Sequence, residues 1–256
     1  MNFDDFDKSM RIYETLNDQF ILPGVYMVVR LDGRGFHKLT RDLKFEFETP
    51  FDIRFNTYMI ETVIHLMKNS GFNFVYGYTQ SDEISLLMNI NDNTFSRKAR
   101  KINSVLAGEA SAKFTLQLGS IASFDSRICQ LPAASLVQDY FEWRQLDASR
   151  NALNSWCYWT LRKSGLSARK ATSELERVSV SGKNELLFRH GINFNDLPLW
   201  QKRGVGFSWE LKEKEGYDPK HNIKVTTLRR SINIQRELPM GLDYRKYCIQ
   251  PLIYNM

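Results

Sequence analysis

Two aspartates each border runs of apolar and β-branched residues, which is the composition of β-strands. Asp32 comes directly after the run at 26–31, and Asp82 lies in a polar turn between the runs at 74–78 and 84–88. Runs of this kind predict strands, so each aspartate is expected at the end of a strand. Carboxylate oxygens are ligands that Mg²⁺ prefers, and two carboxylates can hold two ions together with substrate phosphates. The pair therefore indicates metal-dependent transfer chemistry at phosphate, although either segment alone is also typical of an ordinary turn.

Glycines at positions 33 and 35 follow the first aspartate. Because glycine has no Cβ, backbone N–H groups of this turn can approach phosphate oxygens, and a backbone carbonyl can reach a metal ion. The sequence therefore predicts that the turn after Asp32 holds a phosphorylated ligand beside the metal site.

The elements that bring the two aspartates together are predicted from periodicity. Apolar residues recur at helical spacing within 55–67, between the first strand and the hairpin. Such a crossover returns the chain beside its first strand, so Asp32 and the hairpin turn become neighbours. A second helix at 97–116 and a strand at 120–128 complete a ferredoxin-like βαββαβ palm, and we assign this catalytic palm domain to residues 1–135. The predicted fold class is α+β.

The remaining residues, 136–256, are predicted to add helices and a basic, β-rich extension that packs on the palm as one structural unit. A long helical region at 136–163 is expected to be interrupted near Asp147. Strands are predicted at 205–209 and 223–234, where lysines and arginines are frequent. These cations could contact polyanion phosphates or protect a sheet edge.

Six motifs in a fixed order carry a resemblance to a known family. They are Leu-Asp-Gly-Arg-Gly-Phe-His at 31–37, Gln-Ser-Asp-Glu at 80–83, Phe-Ser-Arg-Lys-Ala-Arg-Lys at 95–101, Phe-Asp-Ser-Arg at 124–127, Trp-Arg-Gln at 143–145 and Lys-Asn-Glu-Leu-Leu-Phe at 183–188. Over about residues 20–205 the chain resembles the tRNA-histidine guanylyltransferases. The resemblance implies an enzyme that adds nucleotides to the 5′ end of tRNA, in the 3′–5′ direction, after ATP or GTP activates the 5′ phosphate.

The resemblance also implies roles for individual residues. Asp32, Asp82 and the Gly33 carbonyl would hold two Mg²⁺ ions, with Glu83 as a supporting catalytic carboxylate. Nucleoside triphosphates would be bound by the loop after the first strand, by the hairpin turn and by a basic helix start, and tRNA by three cations further on. The nucleotide-binding residues are Asp32, Gly33, Arg34, Gly35, Phe36, His37, Ser81, Asp82, Arg97, Lys98 and Lys101, and the tRNA-binding residues are Lys183, Lys202 and Arg203.

One departure from the family pattern concerns substrate choice. Where enzymes specific for tRNA-histidine carry His-x-Asn-Asn, this chain has Ser149, Asn151 and Ala152. Without the imidazole and the amide, a buried polar group that bonds to them would have no hydrogen-bond partner, so activity that depends on these bonds should fall. The same departure marks the Thg1-like proteins, for which template-dependent repair of 5′-truncated tRNA is the expected reaction. The alternative is addition of a single guanylate, G(-1), to tRNA-histidine.

Composition is consistent with a globular protein that binds a polyanion. The 256 residues are 43% hydrophobic and carry a net charge of +6, and a basic chain favours phosphate contacts. The spacing of the three cysteines fits neither a zinc site nor a disulfide framework. We find no membrane span or signal layout and expect a cytoplasmic protein. The family resemblance implies a homotetramer, a dimer of dimers.

Two other classes of protein fit this sequence less well. A nucleotide cyclase or related signalling enzyme would use a similar palm, but the turn at 80–83 lacks its Gly-Gly-Asp/Glu-Glu-Phe type of sequence. A pure RNA-binding module would expose aromatic residues on its strands. The strands here end in acids, which would repel phosphates unless a metal bridges them.

Overall fold

The computed structural model describes residues 2–42, 44–218, 220–221 and 223–254. The strands are β1 (Tyr26–Gly33), β2 (Phe74–Gln80), β3 (Glu83–Met88), β4 (Phe124–Leu131), β5 (Val205–Asp218) and β6 (Ile223–Gln235). The helices are α1 (Phe3–Thr15), α2 (Phe36–Leu39), α3 (Ile53–Asn69), α4 (Ala99–Leu118), α5 (Ala134–Lys163), α6 (Ala168–Leu175), α7 (Val180–Arg189) and α8 (Leu199–Arg203). Short 3₁₀ turns lie at Thr94–Arg97 and Phe194–Asp196, and helical turns span Gly241–Asp243, Tyr244–Ile249 and Gln250–Tyr254.

All six strands form one antiparallel sheet in the order β4-β1-β3-β2-β5-β6. The first four strands, with α3 and α4 as crossovers, have the βαββαβ order that the sequence predicts. The α+β fold class is therefore confirmed. Strand β5 pairs with β2 from Thr79 to Tyr76, so the C-terminal region shares the sheet of the palm. The division at residue 135 stays a prediction.

Helices cover both faces of the sheet. On one face α3 and α4 pack against buried residues such as Leu31 and Leu86. On the other face α5 and the C-terminal turns pack against Val28, Tyr76 and Tyr78. Because the central strands are buried on both faces, they appear in the sequence as nearly continuous apolar runs.

Within the described part of the chain, no helix is long and apolar enough to cross a membrane.

The start of α3 follows from its capping residue. Asp52 has extended backbone angles, and its carboxylate accepts hydrogen bonds from the backbone N–H groups of Arg54 at 2.6 Å and Phe55 at 3.2 Å. An N-cap aspartate satisfies donors that the first helical turn leaves unpaired. Asp52 also accepts from the N–H of Glu48 at 2.8 Å, so it fixes the loop that leads into the helix.

The predicted interruption of the long helix near Asp147 is wrong. Helix α5 is continuous over 30 residues. Polar side chains in this stretch form hydrogen bonds with one another along the helix. The Asp147 carboxylate accepts hydrogen bonds from Arg150 at 2.7 Å and from Asn151 at 3.2 Å. Pairs at spacings of three and four residues support a helix.

Strand β5 extends nine residues beyond its predicted end at 209, whereas β6 matches its predicted range to within one residue. Strand β5 continues to Asp218 and pairs with β6 along its whole length, whereas its contact with β2 ends at Ser208. Beyond Glu210 the described residues of this hairpin are largely exposed. Residues 212–216 are four charged residues and a glycine, so this stretch lacks the alternation of apolar and polar residues that predicts a strand.

Candidate active site

The sheet places the two predicted metal ligands at the same end of adjacent strands. On β1, Asp32 lies opposite Glu83 of β3 and Asp125 of β4. The N–H of Gly33 donates to the carbonyl of Asp82 at 3.0 Å, so Asp82 follows directly beside β1. The antiparallel register of the central strands thus brings together acids that are 50 residues apart in the sequence.

The electrostatics of this end of the sheet suit a cation. Burial, together with the negative charge of Asp32, raises the pKa of Asp82 to about 6. Arg30 lies 3.5 Å from the Asp32 carboxylate and Arg127 lies 3.8 Å from it, which compensates the charge only in part. Among the residues that the structure describes, no group of three or more histidine, cysteine, aspartate or glutamate side chains forms a metal cluster. The available donors are two carboxylates and backbone carbonyls, hard oxygens that fit Mg²⁺ completed by substrate phosphates.

Glu83 is held by two arginines. Its carboxylate oxygens form ion pairs with Arg30 of β1 and with Arg144 of α5. The Arg144 side chain is buried, and it also pairs with Asp147 at 3.0 Å. Glu83 therefore ties the hairpin to α5 beside Asp82, which is a positioning role for the predicted supporting carboxylate.

The loop after β1 has the conformation that its glycines permit. Gly35 has φ of 74° and precedes α2, a left-handed conformation that favours glycine. A Cβ at Gly33 would lie 2.5 Å from the ring of Phe36, so this position accepts no side chain without movement. Phe36 itself is buried and packs against other phenylalanines of the core, while Arg34 is exposed.

Two cavities meet at the hairpin turn. The first, of about 200 Å³, has walls from the β1–α3 segment and from aromatic residues, among them Phe36, His37, Phe51, Trp159 and Trp200. The second, of about 140 Å³, lies against α5. Gln80, Ser81 and Asp82 line both cavities. Ser81 has φ of 54°, and its hydroxyl lies 3.1 Å from the Asp82 carboxylate.

Arg97 has a structural role, contrary to the predicted contact with a triphosphate. Its guanidinium is buried and donates to backbone carbonyls of five residues, two before the first 3₁₀ turn and three before β1. The acceptors are Ile21, Leu22, Val25, Ile90 and Asp92, at 2.7 to 3.1 Å.

Arg97, two residues before α4, contacts the chain at the end of β1 that is opposite to Asp32. Val25 lies before the beginning of β1 and Asp32 near its end, which corresponds to roughly 23 Å of extended chain. Lys98, the next residue, pairs with Asp18 at 3.0 Å. Hydrogen bonds from Arg100 and Lys98 lower the pKa of Asp18 to about 2. Arg97 therefore contacts the segment at the opposite end of β1 from Asp32, and the predicted triphosphate contacts of Lys98 and Lys101, on the same helix start, stay predictions.

The predicted tRNA-binding pair Lys202 and Arg203 is also used within the fold. The Lys202 ammonium is buried and donates to the carbonyls of Phe194 at 3.0 Å and Asn195 at 2.7 Å. Arg203 donates to the carbonyl of Leu238 at 2.9 Å. Lys183, the third predicted cation, is half-buried on α7.

We expect Lys202→Met to destabilise the protein without changing how its tRNA affinity depends on salt. The backbone carbonyls of Phe194 and Asn195 lose a charged donor, which should lower the free energy of unfolding by about 1–3 kcal/mol in urea titrations. The control is Lys212→Met, since Lys212 is exposed on β5 and should matter by at most about 0.5 kcal/mol. A stable K202M protein with a shallower salt dependence of tRNA binding would restore the direct role.

Sequence reasoning missed several residues of the site. Arg30 lies two positions before Asp32 and therefore on the same face of β1, which strand alternation alone predicts. Arg144 lies in the Trp-Arg-Gln motif, but only the fold shows that it meets Glu83. Trp159 and Trp200 line the first cavity from α5 and α8, and no spacing in the sequence relates them to Asp82.

Fold and site together define a nucleotidyltransferase with a polymerase-like palm. A model of the tRNAHis guanylyltransferase family matches residues 7–132, and a model of the Thg1 C-terminal domain matches residues 135–239. The chain belongs to the tRNAHis guanylyltransferase family, which confirms the resemblance seen in the sequence.

Individual relatives are similar over most of the chain. A tRNA(His) guanylyltransferase of Debaryomyces hansenii is 34% identical, covering 73% of this chain and 75% of its own. A probable tRNA(His) guanylyltransferase of Dictyostelium discoideum is also 34% identical, with 72% and 75% covered. A bacterial Thg1-like protein in complex with GTP has 30% identity and a TM-score of 0.71, covering 98% of this chain and 99% of its own. A bacterial Thg1-like protein in complex with ATP has 28% identity and a TM-score of 0.75, with 97% and 99% covered.

Proposed function

We propose that this chain transfers nucleotides to the 5′ end of tRNA, with Asp32 and Asp82 as the metal-binding carboxylates. The observation that carries the proposal is the position of Asp82, which lies beside β1 and lines two adjoining cavities. A transfer reaction needs two reactants beside one charged centre, and two cavities that meet at one carboxylate supply that arrangement. The names of the relatives support tRNA as the acceptor.

In this proposal the residues of the chain position the phosphates and balance their charge. The first cavity binds a nucleoside triphosphate, with its base against aromatic walls and its phosphates toward the loop of Gly33, Gly35 and His37. Bound Mg²⁺ would supply charge neutralisation at the phosphates undergoing transfer. Arg30 and Arg144 hold Glu83 and limit repulsion among the acids. ATP and GTP are both proposed substrates, consistent with the nucleotides bound in the two bacterial Thg1-like complexes.

The relatives support addition of one guanylate to tRNA-histidine better than the template-dependent 3′–5′ repair that the sequence analysis places first. The curated relatives compared above are named as certain or probable tRNA(His) guanylyltransferases. We therefore take guanylate addition as the first candidate reaction. The homotetramer and the cytoplasmic location stay predictions.

Template-dependent repair is kept as a second candidate because of one feature of the site. Asn151 and Ala152 line the cavity beside Asp82, at positions where enzymes specific for tRNA-histidine carry two asparagines. Ala152 brings no hydrogen-bonding side chain to that wall. At position 152 the wall therefore lacks the amide group that an asparagine would offer to an acceptor end.

A length-resolved extension assay separates the two candidates. The protein is incubated with Mg²⁺, ATP and four nucleoside triphosphates, and it is offered intact tRNA-histidine or 5′-monophosphorylated tRNA without its first nucleotide. One guanylate on intact tRNA-histidine supports the first candidate, and template-matched restoration of the truncated tRNA supports the second. Absence of extension on both substrates would contradict the proposed function.

We expect the double substitution Ser149→His and Ala152→Asn to favour guanylate addition to intact tRNA-histidine relative to repair. A regained hydrogen bond to a buried polar group is worth about 1–1.5 kcal/mol, or roughly a tenfold change in the ratio of the two rates. The ratio is measured in competition, with thermal unfolding as the control for packing of the larger side chains. An unchanged ratio in a folded variant would show that these positions do not set substrate choice.

A further inference from the structure

A third cavity, of about 630 Å³, opens between the β1–α3 segment, α5 and α6. Its walls include Arg41, Tyr158, Arg169, Thr172, Ser173 and Glu176. Arg41 also lines the first cavity, so the two cavities are neighbours across a single side chain. Because the first cavity contains Asp82, the third one lies on a route leading away from the reacting centre.

The guanidinium of Arg41 packs against two aromatic rings. Its guanidinium carbon lies 5.7 Å from the ring centre of Tyr158 and 5.6 Å from that of Trp159. A guanidinium held against aromatic rings keeps N–H groups free at its edge, and their planar fork matches the oxygens of a phosphate. Arg41 forms no ion pair with any residue that the structure describes.

The other walls of the cavity have the same chemistry. Arg169 is exposed at the start of α6 and has no ion-pair partner within the described ranges. Thr172 and Ser173 add hydroxyl groups. Glu176 is the one acid among the lining residues, so two guanidinium groups face one carboxylate. Uncompensated arginines beside hydroxyl groups are suited to bind phosphate oxygens.

We propose that this cavity binds backbone phosphates of the RNA strand adjacent to the reacting 5′ end, with Arg41 and Arg169 as the contacting groups. This inference rests on the proposed function, because it takes tRNA as the acceptor. A groove with unpaired arginines and aromatic residues is the kind of surface that tracks single-stranded RNA. The same chemistry would suit the phosphates of a bound nucleoside triphosphate, and the test distinguishes the two sources.

The test uses Arg41→Gln, Arg169→Gln and the double variant, with Arg189→Gln as the matched control. Arg189 is an exposed arginine on α7 that does not line the cavity and is paired with Glu185. Affinity for 5′-monophosphorylated tRNA-histidine is measured by fluorescence anisotropy from 50 to 300 mM KCl. ATP affinity is measured by calorimetry, and 5′ extension is assayed on the same proteins.

We expect the double variant to bind tRNA about tenfold more weakly at ~150 mM salt, and its log–log salt slope to fall by about 1.5, because each lost phosphate contact removes about 0.7–0.9. ATP affinity of Arg169→Gln, whose side chain lines the third cavity and not the first, should stay within twofold. A weakened ATP affinity of Arg169→Gln with unchanged tRNA affinity would assign the cavity to the triphosphate and overturn the proposal, as would a double variant that binds tRNA like R189Q.

The outcomes also separate this inference from the proposed function. A wild-type protein that extends tRNA while the double variant binds tRNA normally contradicts the RNA groove alone. If the wild-type protein extends no tRNA but the double variant binds tRNA more weakly than the wild type, the proposed function is contradicted and the RNA groove is supported.

Discussion

Asp82→Ala is expected to reduce nucleotide addition by about 1000-fold, because removing one of two metal-binding carboxylates forfeits several kcal/mol of charge stabilisation in the transition state. The effect should appear in kcat with 5′-monophosphorylated tRNA under saturating Mg²⁺ and ATP. Asp32→Ala should have an effect of similar size, since the two residues are proposed to share the ions. Their double variant should lose little more than either alone, because groups that act as a unit are not additive.

The loss of activity in D82A should not come from unfolding. Burial and the charge of Asp32 raise the pKa of Asp82 to about 6, so the ionised carboxylate is a cost to the metal-free fold at neutral pH. Thermal unfolding in EDTA should therefore show D82A to be at least as stable as the wild type. Asp196→Ala, at an exposed aspartate whose carboxylate accepts a hydrogen bond from Asn193, serves as the control. D82A with near-normal addition under Mg²⁺ would refute the assignment.

Arg97→Ala is expected to lower the free energy of unfolding by about 3–5 kcal/mol, because five backbone carbonyls lose a charged donor, each such bond is worth about 1.5–3 kcal/mol, and water and relaxation offset part of the sum. The backbone carbonyls of Ile21, Val25 and three other residues would lose their donor, and a buried acceptor without a partner is costly. The segment that enters β1 would also lose its link to the turn before α4. Urea unfolding followed by circular dichroism measures the change.

Two comparisons identify the origin of that effect. Arg97→Lys keeps the charge but cannot reach five carbonyls, so it should be intermediate in stability. Arg100→Lys changes a half-exposed arginine that pairs with Asp18, and it should matter by at most about 1 kcal/mol. If R97A kept wild-type stability but raised the KM for nucleoside triphosphate more than tenfold, the original assignment of Arg97 to the triphosphate would be correct.

The sequence predicted the palm well because local patterns define its strands and helices. The apolar runs around Asp32 and Asp82 end at polar or glycine residues, and the topology of a crossover then requires the two aspartates to be neighbours. The cap at Asp52 was predictable for a similar reason, since a cap acts within four residues. The juxtaposition that defines the site thus follows from short-range patterns and one topological rule.

The roles of cations were not predictable in this way. Arg97 and Lys202 lie in basic motifs, yet both are buried with backbone carbonyls as partners. Those partners carry no sequence pattern, since any residue can supply a carbonyl. Arg41 shows the converse, because its neighbours Tyr158 and Trp159 are more than 100 residues away. The predicted interruption of α5 was wrong for a related reason. Polar residues near Asp147 form hydrogen bonds with one another within one turn of the helix.

The pairing of β5 with β2 has a consequence for biosynthesis. Strand β2 emerges from the ribosome more than a hundred residues before β5. At about 5–20 residues per second, the nascent palm carries an open edge on β2 for roughly 6–25 s. The exposed strand contains Tyr76 and Tyr78, both buried in the finished protein. An apolar open edge is a template for intermolecular pairing, so chaperone protection during translation matters most in this interval.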